Sequence, residues 1–217
     1  MLAKMLHAKM FFALFALCLV SGFSLPASAD DADSSADSKK QASDFANSLG
    51  HKALDVITSS ASKEDKQSKL EELFVENVDI EAIAKFVLGR NWKVATDEQK
   101  TAYLENYKTF IIAHYTSNLT EFTDANFEVT KVTADDRGGN VVTMHLKRPN
   151  ADDVVVDYTV RKGSDGALKV YDITVEGVSM ITTQRSEFSS VVSQHNLDYL
   201  ISQLAERSKK EEKPANQ

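Results

Sequence analysis

Between Phe127 and Val175 the apolar residues fall on every second position, and no other feature of this chain narrows its fold so far. Phe127 and Val129 begin one run, and Val142, Met144 and Leu146 mark a second. Val154, Val156, Tyr158 and Val160 mark a third, and Tyr171, Ile173 and Val175 a fourth. Arg137-Gly138-Gly139-Asn140, Pro149 to Asp153 and Gly163-Ser164-Asp165-Gly166 separate the runs, each rich in residues that turn a chain. A side-chain period of two is that of a strand, and turns this short join antiparallel neighbours. The expectation is a four-stranded twisted antiparallel sheet with one apolar face and one wet face.

On either side of this region the period changes to that of a helix. Phe45, Leu49, Ala53 and Val56 make one stripe, and Leu70, Leu73 and Phe74 a second. Ile80, Ile83, Ala84 and Val87 make a third, opened by Asp79 as an N-cap and closed by Gly89. Thr96 and Gln99 form a capping box before the longest helix, where Tyr103, Tyr107, Phe110, Ile111 and His114 share a face. After Gly177 come Phe188, Val191 and Val192, then Leu197, Leu200, Ile201 and Leu204. Helices before and after an antiparallel sheet, covering one of its faces, give an α+β layered architecture. Such a layer encloses either a solid core or a pocket, and periodicity alone does not say which.

The ends read differently. Lys4 and Lys9 precede an apolar run from Met10 to Phe23, too short for a spanning helix, and Ala27-Ser28-Ala29 is an A-x-A site. Residues 1–29 are therefore expected to be a cleaved signal peptide, and the chain to be exported. Residues 30–40 are small and acidic and read as a disordered leader; 208–217 read as a flexible charged tail; 41–207 read as a single domain. The one cysteine, Cys18, lies in the leader, so disulfides and cysteine metal sites are not expected in the remainder. A formal charge of −7 becomes more negative once a leader with two lysines and no acids is removed, which argues against nucleic acid as a partner.

Catalytic and metal signatures are weak. His51, His114, His145 and His195 sit on different elements at no ligand spacing. Asp157 and Asp172 alternate with Tyr158, Tyr171 and Ile173, so strand parity sends both to the wet face. Ser179, Ser186, Ser189 and Ser190 lie in no nucleophile elbow. No catalytic or metal-binding residue is assigned. A pocket without an inward acid or base suits alkyl chains better than proton transfer.

Two segments carry a family likeness. One is Glu176-Gly177-Val178-Ser179-Met180-Ile181-Thr182-Thr183, the other Phe86-Val87-Leu88-Gly89-Arg90-Asn91-Trp92 followed by Ala95-Thr96-Asp97-Glu98-Gln99. With the strands between them the chain resembles, from about Phe45 to Glu206, the periplasmic phospholipid carriers of the Mla pathway of outer-membrane lipid asymmetry, also described as toluene-tolerance auxiliary proteins of ABC transporters. The family usually has glycine where Asn196 stands, and asparagine tolerates a left-handed turn nearly as well. The resemblance implies a non-enzymatic, periplasmic carrier without a cofactor, its cargo one phospholipid. It implies partners too: an inner-membrane ABC transporter complex with a substrate-binding ring, and an outer-membrane lipoprotein–porin complex. On that reading the pocket wall is formed by Val87, Tyr103, Tyr107, Phe110 and Ile111 of the helices and by Phe127, Val142, Met144, Leu146, Val156, Tyr158, Tyr171, Ile173 and Val175 of the sheet. Arg90 and Arg185, in the two family-like segments, are the expected partner-docking residues. The alternative is a small α+β pocket enzyme of isomerase or dehydratase type; ordinary core packing would also account for the same apolar residues.

Overall fold

The computed structural model describes residues 29–116, 126–147 and 152–211. The helices are α1 (Ala29–Thr58), α2 (Lys63–Asn77), α3 (Ile80–Leu88), α4 (Arg90–Val94), α5 (Asp97–Thr116), α6 (Met180–Gln194) and α7 (Leu197–Glu211). The strands are β1 (Asn126–Ala134), β2 (Asn140–Lys147), β3 (Val154–Lys162), β4 (Leu168–Val175) and β5 (Val178–Ser179). They form one antiparallel meander in the order β1-β2-β3-β4-β5. The architecture is α+β, with five strands rather than the four expected. The fifth exists because Glu176 and Gly177 both take positive φ, 49° and 79°. Two such residues make the tight turn that folds a chain straight back on its own strand. Glu176 is held there by Val155, whose amide donates to Glu176 Oε1 at 2.8 Å. A two-residue strand is too short to show a period.

The ends differ from expectation as well. α1 already begins at Ala29, so residues 30–40 are helical rather than an irregular leader. Asn140, only 5% exposed, anchors this stretch by donating to Ser38 Oγ at 2.9 Å. α7 continues to Glu211, into the stretch expected to be a flexible tail. The signal-peptide segment before Ala29 lies outside the described residues.

Local signals behave as their chemistry requires. Asp79 Oδ1 accepts from the Ala82 amide at 3.1 Å, and the Thr96–Gln99 capping box closes in both directions at 3.2 Å. Asn196 does not take a left-handed conformation. Instead its side chain accepts from the Tyr199 amide at 2.8 Å and starts α7.

Two cores result. A helical core joins α3, α5, α6 and α7 through Val87, Tyr103, Tyr107, Phe110, Phe188 and Leu204. A second core seats Ala42 and Ala46 of α1 on Val142, Met144 and Val160 of the sheet. Gly50 lets α1 approach this closely: a Cβ there would stand 2.5 Å from the Phe127 ring.

At the hairpin end of the sheet Arg161 Nε donates to Asp135 Oδ2 at 2.7 Å, both side chains under a fifth exposed. The hydrogen bond, more than the charge alone, holds the Asp135 carboxyl below its usual value. A depressed folded value contributes stability that is complete above about pH 4 and is lost as pH falls through it. Asp135→Asn is therefore expected to cost about 1 kcal/mol at pH 7. In thermal melts across pH, the gap from the parent should narrow as pH falls below about 4 through the depressed folded value.

Candidate functional site

An apolar cavity of about 210 Å³ lies where the two cores fail to meet. α1 supplies Ala46, Leu49, Gly50 and Ala53, α2 supplies Leu70, Leu73 and Phe74, and Val78 follows them. The opposite wall is Met144, Tyr158, Val170 and Ile173 of the sheet, closed at one end by Tyr115 from the last turn of α5. A smaller space of about 20 Å³ adjoins it, sharing Phe74, Val78, Tyr115, Val170 and Ile173 and reaching Ile111, Tyr171 and Asp172. The Phe74 and Tyr115 rings, stacked with centroids 6.0 Å apart, stand on both.

The wall follows from how the elements are built. α1 turns a line of small residues inward at helical spacing, Ala46, Gly50 and Ala53, so helix and sheet leave a gap between them. On β4 a bulge changes the parity. Thr159 pairs with Asp172 but Val160 with Val170, which leaves Tyr171 without an opposing residue. Val170 and Ile173 thus face the cavity together, although three positions apart.

Of the expected wall residues, Met144, Tyr158 and Ile173 line the main cavity, and Ile111 and Tyr171 line the smaller space. Val87, Tyr103, Tyr107 and Phe110 do not. They are at most 5% exposed within the helical core, because α5 packs on α2, α3 and α7 and meets α6 through Tyr107, rather than packing on the sheet. Phe127 and Val142 belong to the α1–sheet core. Leu146, Val156 and Val175 pair with Val154, Met144 and Val156 respectively, off the cavity lining. Sequence reading missed the α1 and α2 contribution. The small residues at Ala46, Gly50 and Ala53 were visible in the sequence at helical spacing.

The acids fall partly as expected. Asp157 lies on the outer face and accepts from Thr143 Oγ1 at 2.6 Å. Asp172 keeps the same face, since Asp157 pairs with Thr174 and Thr159 with Asp172, and it meets the start of α6. There it accepts from Ser179 Oγ at 2.6 Å and from the Ile181 amide at 3.3 Å, where a carboxylate meets the positive end of the helix. It touches the smaller space but not the main cavity. Burial raises the Tyr158 hydroxyl, and it pushes Tyr115 up to about 12 with Asp172 and Glu187 adding to the effect. Among the described residues no group of three or more His, Cys, Asp or Glu could hold a metal ion, and no helix is long and apolar enough to cross a membrane.

The two family-like segments meet in space. Gly89 takes φ 59° and ψ −126°, a conformation that suits glycine, and ends α3. A Cβ there would lie 3.0 Å from the Arg185 guanidinium, which stacks 4.7 Å from the Phe86 ring centre. Arg185 and Arg90 are both exposed. Val94 and Val178, in the same segments, are 83% and 51% exposed.

Residues 47–206 match the sequence model of the MlaC protein family. The chain belongs to that family. A family relative from Haemophilus influenzae, the intermembrane phospholipid transport system binding protein MlaC, is 23% identical over 130 residues. That match spans 58% of this chain and 61% of the relative's length. The fold is similar to that of a phospholipid-binding protein from Ralstonia solanacearum solved in complex with a phospholipid. There the TM-score is 0.68 at 23% identity, over 79% of this chain and 99% of the other.

Proposed function

We propose that this protein is a periplasmic phospholipid carrier, exported by a signal peptide over residues 1–29, that shuttles lipid between inner- and outer-membrane complexes. The observation that carries the reading is the cavity. Its wall is hydrocarbon, one thioether and two tyrosine rings, placed between helices and a sheet whose family relatives are named for phospholipid binding. Such a wall accepts acyl chains and offers a head group little, so the head group stays outside. Each buried methylene is worth about 0.8 kcal/mol, so two long tails represent on the order of 20 kcal/mol. Release into water would be too slow to serve transport. The cargo must pass directly between apolar environments, which requires docking to an inner-membrane ABC transporter complex and to an outer-membrane lipoprotein–porin complex. Protein purified from periplasm without detergent should weigh as a chain beginning at Asp30 and yield phospholipid on solvent extraction. A folded protein from which no lipid is ever extracted would sink the carrier reading.

Arg90 and Arg185 are the docking residues in this scheme, beside the exposed Val94 and Val178. Charge reversal of both to Glu should slow lipid transfer to partner-bearing membranes, most clearly at low salt, because exposed charges act mainly on encounter. Lipid content should hold. Loss of the Arg185 stack on Phe86 should lower stability by only about 0.5–1 kcal/mol. Transfer at the parental rate across salt concentrations would remove the arginines from the docking surface and leave the carrier reading intact.

A further inference from the structure

Four tyrosines near the centre of the molecule divide into two pairs. Tyr103 Oη donates to the Ala84 carbonyl at 3.0 Å and Tyr107 Oη to Gln184 Oε1 at 2.6 Å, so the hydroxyls of the solid helical core are satisfied. Tyr115 and Tyr158 line the cavity, and neither hydroxyl has a hydrogen-bond partner among the described residues. Both side chains are half-buried on the cavity wall. Native interiors rarely leave such groups unmet, and an unmet one points to a partner from outside the chain. The remaining side chains of the main cavity wall are apolar, and Asp172, which adjoins Tyr115 on the smaller space, already accepts from Ser179 and the Ile181 amide. Tyr115 comes from the end of α5 and Tyr158 from the middle of β3, which places one donor on the helical wall and one on the sheet wall.

A diacyl lipid brings two acceptors into such a space, the ester carbonyl oxygens at the root of its tails. They accept hydrogen bonds and carry no donor of their own, which complements a pair of hydroxyls. Resting on the carrier reading above, we propose that Tyr115 and Tyr158 donate hydrogen bonds to the ester carbonyls of a diacyl glycerolipid, set how far its tails enter, and select against lipids with ether-linked tails. The head group plays no part in this selection, since both donors lie on the tail cavity.

The test is competition. The protein is incubated in detergent with equimolar diester and diether phosphatidylglycerol of the same chain length, and bound lipid is counted by native mass spectrometry. The parent should take the diester about fivefold to thirtyfold over the diether, the effect of one to two net hydrogen bonds. The double variant Tyr115→Phe with Tyr158→Phe should load lipid at a ratio near one, at an unchanged or higher Tm, because it loses two unmet buried hydroxyls and no contact area. Equal uptake of the two lipids by the parent would overturn the proposal while leaving the carrier reading in place. So would a preference that survives in the double variant. Failure of the folded parent to take up either lipid would remove both the proposal and the carrier reading.

Discussion

Ile173→Trp is expected to strip the protein of co-purified lipid while moving its Tm by only a few degrees. Ile173 stands on the cavity wall beside Val170 and across from Leu73 and Phe74. An indole there extends into open space, so it displaces cargo rather than neighbouring side chains. Val156→Trp is the internal control. Val156 is 8% exposed on the same sheet face but packs between Met144 and Val175, off the cavity lining. The same ring at that position has no space to enter, and overpacking should cost about 1–3 kcal/mol. Lipid extraction and thermal melts on both variants separate the two cases. An Ile173→Trp protein that keeps its lipid would mean that the tails lie elsewhere. One that loses several kcal/mol would mean that the space is not a binding cavity.

Phe188→Ala should give the opposite pattern, a large loss of stability with lipid content per folded molecule unchanged. Phe188 is 4% exposed in the helical core and meets the Tyr107 ring edge-to-face, with centroids 6.1 Å apart. Truncating a buried aromatic removes its transfer free energy and leaves a void the surrounding helices fill only in part, about 3–5 kcal/mol in all. For a domain of this size that is a fall in Tm on the order of 10 °C. Circular dichroism melts report it directly. A Tm within about 2 °C of the parent would show that α6 is not an integral part of the core.

These two predictions turn on a distinction that periodicity could not make. The stripe on α5 correctly marked Tyr103, Tyr107, Phe110 and Ile111 as buried. A helical stripe states which side of a helix leaves water, and it is silent on which element receives that side. α5 packs on α2, α3 and α7 and meets α6 through Tyr107, so three of those four residues are solid core, and only the last turn reaches the main cavity, through Tyr115. Likewise the alternation on β4 pointed to Tyr171, Ile173 and Val175 on one face. A bulge adds a residue without leaving a compositional mark, and it brought Val170 to the cavity beside Ile173.

The sequence by itself determined the class of fold, the antiparallel meander with its turns at Arg137–Asn140 and Gly163–Gly166, the helix starts at Asp79 and Thr96, and the family, because these depend on residues near one another in the chain. Period, capping side chains and turn residues act over a few positions, and their physics can be read locally. Only the tertiary structure decided that a cavity exists, that α1 and α2 supply half of its wall, and that Tyr115 and Tyr158 lack the partners that Tyr103 and Tyr107 have. A cavity is the space that separate elements leave between them. Its presence depends on how closely distant segments approach, here set by Ala46, Gly50 and Ala53 against Met144, Tyr158 and Ile173, and no short stretch of sequence records that distance.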